Sequence, residues 1–379
     1  MSRHAPAAEL PRWMDWGLMP LLNLAMALLA AAGVMAAIGQ DPWMALQLMG
    51  KGAFGDPLAI SYTLYYTTNF IFTGLAVCVA LHAGHFNIGG EGQAMMGGLA
   101  VGAVMLTGQP HVPAPLLLPL AVLAGVAAGA VWAGVPGYLQ AKRGSHVVIT
   151  TIMFNFIASA LMVFLVGRFF RVPGQPAVES HPFAEGLEMP AIYPLLNQWG
   201  IEVPSNPLNA SVVLALLACV GVWVLLWKTR LGYELRALGA SPDAARYAGM
   251  SPSKLTVLAM ALSGGLAAMV GVNEIAGVHH KLLLDFTAGA GFTGIAVSLM
   301  GRNHPVGIVL SALLFGALYQ GGAELAFELP SFTRDMVVSI QGLVVLFSGA
   351  LALMLRPTVA WLYGWWLSLK KPSTQTQEA

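Results

Sequence analysis

Charge is what this sequence lacks most. Only 9% of its 379 residues are Asp, Glu, Lys or Arg, while 57% are hydrophobic. Soluble domains average about 25% charged and about 45–50% apolar residues. The combination excludes an ordinary soluble domain and places the chain among polytopic membrane proteins. No charged side chain lies between Glu91 and Lys142, nor from His146 to Gly167. There is no basic tract suited to nucleic acid. The net charge of +1 says nothing of partners, because charge is clustered locally. Cysteine is nearly absent. Cys78 and Cys219 both sit in apolar runs, which excludes a disulfide framework. No G-x-x-x-x-G-K-S/T loop occurs, so ATP binding of the P-loop kind is excluded. There is no HExxH motif and no nucleophile–base spacing. His82 and His85, like His279 and His280, lack further metal ligands nearby. No cofactor and no metal is expected, and the chain does not read as an enzyme.

What is present is apolar length. A span needs about 20 mainly apolar residues. Ten segments qualify: 17–38, 62–82, 86–108, 116–141, 146–167, 211–227, 255–276, 288–301, 305–321 and 335–354. The expected fold is all-α, with about ten transmembrane helices in one domain over 17–354. Residues 1–16 form a cytoplasmic N-terminus and 355–379 a cytoplasmic tail. The first segment is too long for a signal-peptide core. Lys and Arg favour one side: Lys142 and Arg143, the cluster from Lys228 to Lys254, and Arg302, with both termini. That side reads as cytoplasmic, so both termini point inward. The third and eighth segments are Gly-rich and five crossings apart, which predicts an inverted repeat.

Seven of the 35 charged residues fall in one stretch, 228–254, between two apolar runs. Within it, Ser241-Pro242-Asp243 reads as a helix start. Ala244 and Ala245 favour helix, Arg246 and Tyr247 are available to a partner, and Gly249 ends the turn. The expectation is a short helix on the cytoplasmic face; an ordinary loop helix is the plainer reading. The external segment 168–210 carries seven prolines, which forbid a long regular helix. It reads either as a cap or docking surface at the outer mouth, or as a loose connector.

Polar groups inside spans are the other signal. His85-Phe86-Asn87-Ile88-Gly89-Gly90-Glu91-Gly92-Gln93 opens the third span. Glu91 in hydrocarbon must be paired, hydrated or at a boundary. It reads either as a path residue or as an anchor for a neighbouring loop. Thr151 and Asn155 share a helix face, and Asn69 and Phe70 lie beside Tyr62, Tyr65 and Tyr66. Neutral amides and hydroxyls beside rings suit a flat, neutral, hydrogen-bonding solute; interhelical packing is the plainer reading. Asn69, Phe70, Asn87, Glu91, Gln93, Thr151 and Asn155 are the candidate translocation path. Gly289 to Gly307 is either a gate element or dense packing. No intramembrane charge pair is apparent for an ion or proton. Glu274 is the nearest carboxylate, near the external end of its span.

FNIGGEGQ, TTIMFNFIA, LGASPDAARYAGMS and GFTGIAVSLMGRNHPVG occur in this order. Together they resemble a permease of an ATP-binding-cassette importer, in the family holding ribose and branched-chain amino acid permeases. FNIGGEGQ and TIMFNFIA are most similar to its nucleoside branch, associated with basic-membrane-protein-type lipoproteins. The resemblance covers about 60–350. It implies a second homologous permease, an ATP-binding subunit, an extracytoplasmic substrate-binding protein and a bacterial inner-membrane location. Ser241, Pro242, Asp243, Ala244, Ala245, Arg246, Tyr247 and Gly249 would be the coupling helix to the ATPase. The cargo would be nucleosides, with a simple sugar such as ribose as the alternative. An ion-coupled transporter and an intramembrane enzyme are the readings from other classes.

Overall fold

The computed structural model describes residues 18–37, 41–109, 111–329 and 357–364, with Pro11, Met14, Gly39 and single positions between 336 and 346. Among these residues the regular structure is helical, apart from isolated bridges within the Pro-rich segment 168–210 and from it to Leu283. The chain divides into a unit of residues 1–46 and 329–379 and a unit Gln47–Glu328. In the first, α1 spans Met19–Ala37, and 357–364 are helical. The predicted span 335–354 lies largely outside the described residues, as does most of 1–16 and 355–379.

Helix α2 is Pro42–Phe54, and α3 is Pro57–His82. The start of α3 is fixed by Asp56, whose carboxylate accepts the Ala59 N–H at 2.9 Å, with Pro57 in the first turn. After α3 the chain runs extended and then starts α4 at Gly90–Gly108. Helix α5, Ala114–Arg143, ends on Lys142, Arg143 and left-handed Gly144, a favourable terminus for the helix dipole. Helix α6, Val147–Leu165, runs into a π-helical turn, Val166–Phe170.

Past the Pro-rich segment 168–210, which holds α7 (Tyr193–Gln198), come α8 (Ser211–Lys228), α9 (Arg230–Ala240) and α10 (Pro242–Tyr247). Helix α11 covers Pro252–Gly271 and continues as a π-helix, Val272–His279. The last two are α12 (Ala290–Met300) and α13 (Pro305–Glu328). Six of these helical segments are long and apolar enough to cross a membrane, which makes the chain a multi-pass membrane protein.

Helices α3, α4 and α11 form the centre, with α5 and α6 packed on one side and α12 and α13 on the other. Small residues allow the closest approach. Gly129 of α5 meets Gly264 and Ala268 of α11, and Gly98 of α4 meets Gly271. Lipid provides no hydrophobic drive between helices, so such close van der Waals packing carries much of the association.

The Pro-rich segment is packed rather than loose. Phe183, Leu187, Met189, Val203 and Leu208 are buried. Phe183 N–H donates to His280 O at 2.7 Å, Ser180 N–H to Leu282 O at 2.8 Å, and Met189 N–H to Ala276 O at 2.9 Å. Lys281 pairs with Glu179 at 2.9 Å. The segment therefore clasps the end of the π-helix after α11.

Candidate functional site

Helices α4 and α12 begin beside one another and run in opposite directions. Residues 282–289 descend along α4, with Leu282 over Gly102, Phe286 over Gly98 and Gly291 against Gly90. Helix α12 then continues the descent, with Gly294 against Thr73 of α3. Two helix N-termini thus face each other inside the bundle. Each carries partial positive charge and unsatisfied N–H groups.

Glu91 answers both needs. It lies in the first turn of α4 and is only 7% exposed. Its Oε1 accepts from the Thr287 hydroxyl and from Gly289 N–H at 2.9 Å. Its Oε2 accepts from Gly291 N–H at 2.8 Å. A side chain of α4 therefore caps α12. Glycine is required at 291, because a Cβ there would overlap the Glu91 backbone nitrogen.

The rest of the α4 start is equally saturated. Asn87 Nδ2 donates to Gln93 Oε1 at 2.9 Å and to Ser263 Oγ at 2.8 Å. Asn87 Oδ1 accepts from Gly89 N–H and from Gln93 Nε2. Asn155 of α6 accepts the Gly92 N–H and donates to Ile88 O, both at 2.9 Å. Thr151 is buried next to Gly89 and donates to Val148 O within its own helix. Of the predicted path residues, Asn87, Glu91, Gln93, Thr151 and Asn155 thus gather in one knot about the start of α4.

Asn69 and Phe70 belong to a second group. Asn69 Nδ2 donates to Glu274 Oε1, and Asn69 Oδ1 accepts from Asn273 Nδ2 at 2.9 Å. Asn273 Oδ1 accepts from Asn209 Nδ2 at 2.9 Å. The Tyr65 hydroxyl lies 2.7 and 2.8 Å from the two oxygens of Glu274, and His279 Nε2 is 3.4 Å from Oε2. His279 thus lies against Glu274, the carboxylate near the external end of the predicted span 255–276. Residues five apart do not share a face of an α-helix, but the wider π-helical turn brings them together. Phe70 stands edge-on to Tyr319 at 4.9 Å, and Tyr66 is 5.8 Å from Tyr319.

The predicted surface helix is α10. Ser241 Oγ accepts the Ala244 N–H at 3.3 Å, and Pro242 and Asp243 occupy the first turn. Ala245 is buried, whereas Asp243, Ala244, Arg246 and Tyr247 face outward. Gly249, at φ 80°, follows the helix end. Its base is tied to α3. Gly239 packs so closely on His82 and Gly84 that a Cβ would overlap the His82 carbonyl. His85 Nε2 lies 2.9 Å from Thr256 Oγ1 at the foot of α11. Contact therefore runs from α10 through Gly239 and residues 82–85 to the Glu91 knot. Gly239→Val is expected to lower stability by about 1–3 kcal/mol through overpacking. Thermal unfolding of the solubilised protein checks this, and an unchanged midpoint would show that the contact yields freely.

The chain is 35% identical to the glucose ABC transporter permease protein TsgB13 of Haloferax volcanii, over 90% of this chain and 89% of that one. It is 34% identical to the guanosine ABC transporter permease protein NupP of Bacillus subtilis, over 85% and 91%. It is 33% identical to the nucleoside ABC transporter permease protein NupB of Lactococcus lactis subsp. cremoris, over 84% and 85%. No solved structure matches it. The family model for the permease component of branched-chain amino acid transport systems matches residues 59–351, and the chain belongs to that family.

Proposed function

We propose that this chain is the membrane-spanning permease subunit of an ATP-binding-cassette importer for nucleosides. The single observation that carries the cargo is the ring pair of Tyr66 and Tyr319, next to Tyr65 and the neutral and acidic hydrogen-bonding groups that it meets. Flat bases stack on such rings at about 1–3 kcal/mol each. Similarity to guanosine and nucleoside permeases supports the same cargo. A simple sugar is the second reading, favoured by the similarity to a glucose permease.

The subunit itself hydrolyses no ATP in this reading. A separate ATP-binding subunit docks on Ser241 to Gly249, a second homologous permease completes the path, and an extracytoplasmic binding protein delivers the solute. The chain makes ten crossings of a bacterial inner membrane, with residues 1–16 and 355–379 in the cytoplasm. The facing starts of α4 and α12 support an inverted repeat, since half-helix N-termini meet near the midplane in such folds. Closure of the ATPase presses on α10, and the push passes through Gly239 and residues 82–85 to the α4–α12 junction. The packed segment 168–210 caps the outer end.

The test is uptake of labelled adenosine, guanosine, uridine, ribose and glucose by cells expressing the full importer, with and without an inactivated Walker lysine. Nucleoside uptake that stops with the lysine change is expected. Sugar-only uptake would overturn the cargo, and uptake that survives the lysine change would overturn the ATP-driven mechanism.

A further inference from the structure

The carboxylate of Glu274 has more acceptor capacity than its neighbours fill. An ionised carboxylate offers about four lone-pair positions. Tyr65 has a single proton to give, yet its oxygen sits 2.7 and 2.8 Å from both carboxylate oxygens. Asn69 supplies a second donor, and His279 Nε2 lies 3.4 Å from Oε2. Among the described residues no Lys or Arg pairs with Glu274. The group is 3% exposed and lies in a span, a costly placement that points to use rather than to stability. It also sits in the π-helical segment Val272–His279, and such interruptions concentrate at functional sites.

Beside it stands a wall of rings. Tyr65 and Tyr66 are adjacent on α3 with centroids 4.8 Å apart, and Tyr66 faces Tyr319 of α13. Tyr319 is held by a hydrogen bond with Thr293 of α12 at 3.0 Å. Tyr66 and Tyr319 are half-buried, so each side chain keeps part of its surface uncovered. An acceptor-only group and a ring wall together read two different halves of one molecule. A flat ring suits the wall, and hydroxyl donors suit the carboxylate. Acidic side chains accept from ribose hydroxyls in dinucleotide sites for the same reason. A plain sugar offers hydroxyls but no flat ring.

We infer that Tyr66, Tyr319 and Glu274 form a station on the translocation path where a nucleoside stacks its base on the rings and donates its ribose hydroxyls to Glu274. The solute's hydroxyl takes the position that the Tyr65 proton shares between the two oxygens, and Asn69 and Asn273 hold the carboxylate in place. This assignment rests on the nucleoside reading above.

The test uses the complete importer in proteoliposomes with saturating binding protein. Uptake of adenosine and of 2′,3′-dideoxyadenosine is measured for wild type, Glu274→Gln and Tyr66→Leu. Glu274→Gln is expected to slow adenosine about tenfold, the worth of a hydrogen bond to a charged group, while leaving the dideoxy analogue at its wild-type rate. Tyr66→Leu should slow both solutes. If the glutamine variant does not assemble, Glu274→Asp, which keeps the charge, is scored in the same way. Equal slowing of both solutes by the Glu274 change would overturn the station and leave a purely structural clamp, as would no slowing at all. A wild type that carries a sugar and no nucleoside would overturn both the station and the reading on which it rests.

Discussion

Glu91→Ala is expected to prevent recovery of a folded permease, rather than to alter which solute is carried. The variant leaves the Thr287 hydroxyl and the N–H groups of Gly289 and Gly291 without an acceptor. Hydrogen bonds to charged groups are worth about 1.5–3 kcal/mol each. Their joint loss is comparable with the whole stability of an ordinary domain, about 5–15 kcal/mol. It also removes the negative charge that the two facing helix starts favour. Glu91→Gln has a graded effect. It keeps the acceptor for Thr287 and Gly289 but turns an amide donor toward the Gly291 N–H. Size-exclusion profiles and unfolding midpoints of the solubilised variants separate these cases. A wild-type midpoint for the alanine variant would show that the carboxylate is not the cap of α12.

Tyr247→Ala is expected to give the opposite result: an intact permease that no longer holds its ATPase. Tyr247 is 94% exposed and close to the end of α10. Substitutions at such surface positions usually change stability by no more than about 0.5 kcal/mol. A tyrosine at the centre of an interface is worth about 2 kcal/mol or more, which corresponds to roughly 30-fold weaker docking. Co-purification of the ATP-binding subunit reads the effect directly. Full co-purification with full uptake would remove Tyr247 from the docking face. Ala245→Glu serves as a contrast. Its site is 2% exposed, so a charge there is expected to lower the unfolding midpoint as well.

The difference between the two positions follows from how local their signals are. Helix α10 was legible in the sequence because capping is local. Ser241, Pro242 and Asp243 specify its start, and Gly249 follows its end, within nine residues of chain. The apolar runs likewise fix which segments become helices, since hydrocarbon tolerates no unpaired backbone. Composition, helical class and the short helix α10 are therefore properties of the sequence by itself.

Which polar groups meet was decided only by the tertiary structure. Glu91 finds its partners 196 to 200 residues away, and Glu274 finds Tyr65 and Asn69 at 209 and 205. No periodicity links residues so distant, so a buried carboxylate alone could be read as path or as anchor. Asn69 and Glu91 look alike in sequence, as polar groups in apolar helices, yet they belong to different clusters. His279 was hidden for a further reason: its approach to Glu274 needs a π-helical turn that α-helical spacing does not predict. The sequence set the helices and the price of burying each polar group, and the packing of α4 against α12 and of α3 against α11 decided what satisfies it.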